Sequence, residues 1–403
     1  MTIGSRPLLI PAAKPDRRAR FVRPQLRAEE PRRTDTRDGC PTVLPERNLD
    51  ILRALAVLAV LVDHVLETLG NHHWYVRWIG QAGVQAFFVH TSLVLMSSLE
   101  RDGGPARSHW VARFYVRRAL RIYPLAWAAV AVVLLLHVPA LLAPAPWVRP
   151  PTSAIAANFA LLQDLLARGN LAGNLWTLPI ELQMYLALPL CYLVARRASA
   201  KAMCAMIFVG VLLSVFYLWG SSPGHEIRGL ARVRMLRFVP CFLMGVAAYW
   251  TLRNHPEVRP RLPAWTWAPI ALAAGIIFYF PWVMLPGIGV TSWPARALYC
   301  AMIAIAIPLV RDTASSVWSR GAHVVATYSY AIYLLHPMAV RAGFWLLRDR
   351  PLPVQWTVFA MTLVVSVYAA HHLVEKPGIE LGRRLANGRW PWRLPLPAVP
   401  AAP

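Results

Sequence analysis

The chain has 403 residues, 57% of them hydrophobic and 15% charged, with a mean hydropathy of +0.43. That balance excludes an ordinary soluble domain, and the length is taken up by about ten apolar runs, each close to what ~30 Å of hydrocarbon requires. Forty-two Lys and Arg against 19 Asp and Glu give a formal charge of +23, and since the cations gather in the first 50 residues and between the apolar runs, they point to membrane topology and anionic lipid rather than to nucleic acid.

Residues 1–46 are rich in Arg and Pro and poor in apolar periodicity, so the expectation is a disordered basic tail without a signal peptide, held in the cytoplasm. The expected spans follow at 50–69, 81–99, 119–139, 175–194, 203–220, 235–251, 266–284, 294–310, 323–345 and 354–373. They make an all-α integral membrane protein, a bundle of about ten transmembrane helices filling a domain over 47–381, with a short tail at 382–403. With the N-terminus inside, the Arg-rich connections 101–118, 196–201, 253–261, 311–320 and 376–393 all fall on the cytoplasmic side, which puts both termini in the cytoplasm. Residues 228–237 and 348–350 run against this rule, and the first of these segments reads as a surface for a glycan or an anionic ligand. Within the longest outer connection, 141–174, the apolar stretch 154–166 suggests a short re-entrant or interfacial helix. Cys40, Cys191, Cys204, Cys241 and Cys300 are scattered, with no CxxC pair, so neither a disulfide framework nor a metal site is expected.

Ionisable side chains inside spans cost a few kcal/mol on insertion scales and therefore mark candidate sites. In the first span Arg53 and His64 are eleven residues apart, hence on one helix face and ~16 Å apart, close to the length of an extended pantetheine arm. A snorkelling arginine and a packed histidine would satisfy the same pattern. Arg118 and Arg121, in FYVRRALRIYP, share a helix face suited to phosphate; a positive-inside anchor is the plainer reading. Glu181 lies at the same depth as His64 and is expected to pair with it and orient its ring, with Asp63 as the competing carboxylate. Tyr330, Tyr333 and His336 form one polar stripe in the ninth span, either a packing seam or a substrate-binding wall.

Taken together, the Arg53 and His64 spacing, the doubled Phe of GVQAFFVHTS (Phe87, Phe88), RRALRIYP, LWTLPIEL with Trp176 and Glu181, SYAIYLLHP with His336 and VEKP with Glu375 resemble the membrane-bound acyltransferase 3 family, O-acyltransferases of bacterial surface glycans and some secondary metabolites. The family's usual Ser-Gly after the Phe pair is Thr91-Ser92 in this chain. The resemblance implies an acyl-CoA-dependent O-acyltransferase of the bacterial cytoplasmic (inner) membrane. It would use acetyl-CoA as co-substrate and no metal, and would modify a sugar hydroxyl of a polysaccharide, glycolipid or glycosylated metabolite. His64 would be the catalytic histidine, and Arg53, Arg118 and Arg121 would serve the acyl-CoA; beside the resemblance, Glu181 or Asp63 is expected to orient His64, and Trp176, Tyr330, Tyr333 and His336 to bind substrate. The competing class is a transporter or flippase of a glycan precursor, without acyl chemistry.

Overall fold

The computed structural model describes residues 46–388 except 72, 138–146, 223, 259 and 285–292. The expected N-terminal tail therefore lies outside the described residues, apart from Glu46, and so do residues 389–403 of the expected C-terminal tail.

Each of the ten apolar runs is a helix. In chain order the α-helices among the described residues are α1 (Glu46–Thr68), α2 (Trp74–Arg101), α3 (Trp110–Leu135), the short α4 (Thr152–Phe159), α5 (Thr177–Arg197), α6 (Ala200–Gly220), α7 (Val239–Asn254), α8 (Trp267–Met284), α9 (Trp293–Ala306), α10 (Val317–Val340), α11 (Leu352–Ala370) and α12 (Lys376–Ala386), the ten runs being α1–α3 and α5–α11. No strand forms among the described residues. Six stretches are long and apolar enough to cross a membrane: Trp78–Ala106, Trp110–Leu135, Gly173–Arg197, Ala200–Gly220, Arg234–Asn254 and Leu352–Ala386. The last of these is α11 and α12 joined through a π-turn at His371–Glu375. α1 misses that composition because Arg53, Asp63 and Glu67 sit within its apolar run. Outward-facing Leu186, Leu190, Phe208, Leu212, Ile276, Val364 and Val365 are exposed, an apolar belt that hydrocarbon covers and water does not. Several helices of that length and composition make the chain a multi-pass membrane protein.

α2 is the axis of the bundle and packs on α1, α5, α7, α8 and α9, while α1 also packs on α10. Inside a membrane, helix association gains nothing from excluding water and depends on close contact, so small residues mark the seams. A Cβ at Gly83 of α2 would meet the Ala56 carbonyl of α1, and one at Gly80 would overlap the Asp63 carboxylate. On the far face of α2, Ser92 folds its hydroxyl back onto the Phe88 and Val89 carbonyls at 3.0 and 3.1 Å. There the partner helix supplies the gap, because a Cβ at Gly245 of α7 would collide with the Ser92 hydroxyl and the Val89 carbonyl. The close approach that the missing Ser-Gly would give from α2 is thus kept from the α7 side.

The connection between α3 and α5 holds α4, which covers the first part of the expected 154–166 helix. Tyr123 and Trp127 of α3 donate to the Ala160 and Phe159 carbonyls at 3.1 and 2.8 Å. Asn158 ties the connection together, donating to the Ala154 and Gly169 carbonyls and accepting from the Leu171 amide. The result is a structured cap at the end of the bundle that holds His64.

Replacing Gly245 by Leu is expected to cost about 1–3 kcal/mol through overpacking, whereas Gly321→Ala, with open space around it, should gain about 0.5–1 kcal/mol from lost chain entropy. Thermal unfolding of the two variants in one detergent checks the contrast, and equal melting temperatures would remove the α2–α7 seam as a constraint.

Candidate active site

α1 carries Arg53 and His64 toward opposite ends of one continuous helix. At 1.5 Å per residue their separation is the ~16 Å read from the sequence, and two cavities lie along that interval.

At the Arg53 end is a cavity of about 240 Å³ whose wall includes Arg53, His90, Arg118, Arg121, Tyr185 and Tyr330. The Arg53 guanidinium donates from Nε to the Ser329 hydroxyl at 2.6 Å and lies 5.4 Å from the Phe87 ring centroid, a cation–π contact. This divides the Phe pair by role. Phe87 faces the arginine, while Phe88 stacks on Phe242 of α7 at 4.6 Å and meets Phe238 edge-on at 5.4 Å. Arg118 and Arg121 enter the same cavity from the first half of α3. The Arg118 Nε is buried without a hydrogen-bond partner among the described residues, a donor available to a ligand.

Next along α1 lies a narrower, apolar cavity of about 20 Å³, bounded by Val57, Val60, Gly83, Phe88, Thr177 and Tyr333. Phe87, Glu181 and Tyr330 border both cavities. The narrow one has room for about one water, and anything larger needs its walls to move. Val60 is one helical turn short of His64.

His64 hydrogen-bonds through Nδ1 to the Val60 carbonyl at 2.9 Å. A carbonyl only accepts, so Nδ1 carries the proton and Nε2 presents a lone pair. The ring meets His336 edge to face, with centroids 4.9 Å apart. Neither expected carboxylate orients it. Glu181 accepts from Tyr185, one turn on, at 2.8 Å and borders the two cavities, and Asp63 is turned toward Gly80 of α2. Among the described residues, no hydrogen bond joins either carboxylate to His64. The reason is angular: Asp63 lies some 100° around α1 from His64, and the Glu181 carboxylate is engaged by its own helix neighbour. The orienting groups are a backbone carbonyl and a second imidazole.

The stripe on α10 does face the interior, and its members do different things. Tyr330 donates to the Ile122 carbonyl of α3 at 2.8 Å. Tyr333 donates to the Asn174 carbonyl at 2.8 Å and lies 2.8 Å from the Thr177 hydroxyl. Asn174 answers by donating to the Tyr333 and Leu334 carbonyls at 2.5 and 3.2 Å. These bonds dock the cap on α10 directly beside His336. Trp176 stands farther out, with the Arg234 guanidinium 5.5 Å from its ring centroid and Phe238 at 5.8 Å. Arg234 also pairs with Asp164 at 3.2 Å. Burial pushes the Asp164 carboxyl above its ordinary value, and the Arg234 guanidinium pulls it back down. Glu375 is buried and bonded to His371 at 2.9 Å within the π-turn.

Sequence reading missed His90, Tyr185, Ser329 and Asn174. The first two had signals: His90 is three residues after Phe87, and Tyr185 four after Glu181, so each shares a helix face with a residue already singled out. Ser329 and Asn174 matter only through partners far away in the chain.

The family model described as an acyltransferase domain matches residues 46–371. The chain belongs to the acyltransferase 3 family. It is 25% identical to acyltransferase MdmB of Streptomyces mycarofaciens over 387 residues, covering 85% of this chain and 94% of that one. It is 26% identical to the putative peptidoglycan O-acetyltransferase YrhL of Bacillus subtilis, covering 82% of this chain and 54% of the relative. It is also 26% identical to the peptidoglycan O-acetyltransferase OatA of Listeria monocytogenes, covering 53% of this chain and 35% of the relative. The chain thus spans about half of YrhL and a third of OatA. No solved structure matches it.

Asn174→Ala removes two donors from the cap, each bond worth about 0.5–1.5 kcal/mol. Protease added to detergent-solubilised protein should then cut within residues 147–172 several-fold faster at little cost in melting temperature. An unchanged cleavage rate would show that the cap is held elsewhere.

Proposed function

We propose that this chain is an integral-membrane O-acyltransferase that takes an acyl group, most simply acetyl, from acyl-CoA and passes it to a sugar hydroxyl of a surface polysaccharide, glycolipid or glycosylated metabolite. The observation that carries the reading is the succession of two cavities along α1, from a cluster of arginines to Val60, one turn short of His64. The wide polar one suits the CoA phosphates, held by Arg118 and Arg121 with Arg53 guiding the arm; paired N–H donors of guanidinium match phosphate oxygens. The narrow apolar one, once its walls move apart, would pass the thin pantetheine arm, which would deliver the thioester to His64. There the Nε2 lone pair handles the proton that passes from the attacking hydroxyl to the departing sulfur. No step in this chemistry calls for a metal. The acceptor class is suggested by YrhL and OatA, both named for peptidoglycan O-acetylation.

In the same reading all ten long helices cross the bacterial inner membrane with both termini in the cytoplasm. The Arg53 cavity then opens to cytoplasmic acyl-CoA, and the cap beside His64 faces the acceptor. The arginines at one end of α1–α3 support that orientation. A transporter of a glycan precursor would need neither the arginine cluster at one end nor the histidine at the other.

Two outcomes check the proposal. Membranes holding the chain, given labelled acetyl-CoA and a glycan extract of the source cells, should yield labelled ester, and His64→Ala at matched expression should not; equal label from both would remove His64 from the chemistry. Arg121→Ala should raise KM for acetyl-CoA on the order of tenfold while kcat changes little, as expected when ground-state and transition-state binding are lost together. A fall in kcat at constant KM would instead place Arg121 at the reacting atoms.

A further inference from the structure

Resting on the acyl-transfer reading, we propose that His336 is a second catalytic base, taking the acceptor-hydroxyl proton at Nε2 while His64 serves the thioester side.

His336 is 1% exposed, deep in α10, with its ring 4.9 Å from that of His64 and tilted 61° to it. Its Nδ1 lies 3.1 Å from the Ile332 carbonyl oxygen, and because that oxygen can only accept, the proton is on Nδ1 and the lone pair on Nε2. Nε2 is buried and has no hydrogen-bond partner among the described residues. A histidine kept for packing would satisfy both nitrogens, since an unmade bond at a buried polar atom costs about 1–3 kcal/mol. His64 is locked in the same way, with Nδ1 on the carbonyl four residues before it. Two imidazoles from two helices are therefore fixed in one tautomer with their basic nitrogens free of the backbone.

The surroundings of the two rings divide the work. His64 is one turn beyond Val60, which lines the narrow cavity that shares Phe87, Glu181 and Tyr330 with the arginine-lined one. His336 is three residues beyond Tyr333, whose hydroxyl and carbonyl are both bonded to Asn174 of the cap. The first ring therefore meets what arrives along α1, and the second meets what enters beneath the cap.

The hydroxyl oxygen bonds to the thioester carbonyl carbon as its proton passes to His336 Nε2. The tetrahedral intermediate collapses, the C–S bond breaks, and the sulfur leaves with the electron pair. The proton crosses from His336 to His64 Nε2 and on to the thiolate. Ester and free CoA thiol depart, both imidazoles return neutral, and no other reactant is consumed.

The test uses the purified full chain in detergent with labelled acetyl-CoA and the glycan extract. His336→Gln keeps much of the shape and loses the base, so kcat should fall ~10²–10⁴-fold, the usual contribution of a general base. KM for acetyl-CoA and the melting temperature should hold. His336→Ala should regain activity as imidazole is added, which a merely structural role would not allow. A His336→Gln kcat within tenfold of the parent, a fall matched by a loss of melting temperature or a rise in KM, or no recovery with imidazole would each overturn the role of His336. A parent that forms no ester, or a His64→Ala variant as active as the parent, would instead overturn the acyl-transfer reading and this one with it.

Discussion

Everything in this bundle turns on the cost of placing polar side chains where water does not reach. Arg53, Glu181, Tyr330 and His336 lie inside an apolar helix assembly, and each must reach a partner or a cavity or destabilise the insertion of its helix. The solutions are specific. Arg53 has the Ser329 hydroxyl and the face of Phe87, Glu181 has Tyr185, and Tyr330 has the Ile122 carbonyl of α3. Among the buried atoms left without a partner, the Arg118 Nε and the His90 Nδ1 belong to residues that line the wider cavity, and the His336 Nε2 lies beside His64.

The same constraint explains why α2 is the axis. It carries few charges over its apolar run and is buried on nearly all sides, so it can be surrounded by the helices that bear the polar groups. Close packing against it is arranged from both directions, by Gly80 and Gly83 toward α1 and by Gly245 from α7. Holding α1 tightly against α2 keeps Arg53, the Val57–Val60 wall and His64 in a straight line. A kink or a wider gap would break the line between the arginine cluster and the histidine.

The cap contributes from the other end. Asn174 and Tyr333 bond to each other reciprocally, side chain to carbonyl in both directions, so one residue of the cap fixes the turn of α10 that holds His336. Positioning of His336 thus depends on a connection rather than on a helix, in keeping with the rule that loops held by a rigid scaffold carry function.

By itself the sequence determined the ten helices, the one-face spacing of Arg53 and His64, and the family, because these rest on local periodicity and on motifs of neighbouring residues. Even the inward face of Tyr330, Tyr333 and His336 was legible, since three polar groups at a helical repeat cannot face lipid. Only the tertiary structure decided that His64 pairs with His336 and not with Glu181 or Asp63, that Asp63 is turned toward α2, and that the close approach lost at Ser92 is recovered at Gly245. Depth along a helix can be counted from a sequence. The angle at which two helices present their side chains to each other is fixed by packing among all the others, and no spacing within one segment encodes it.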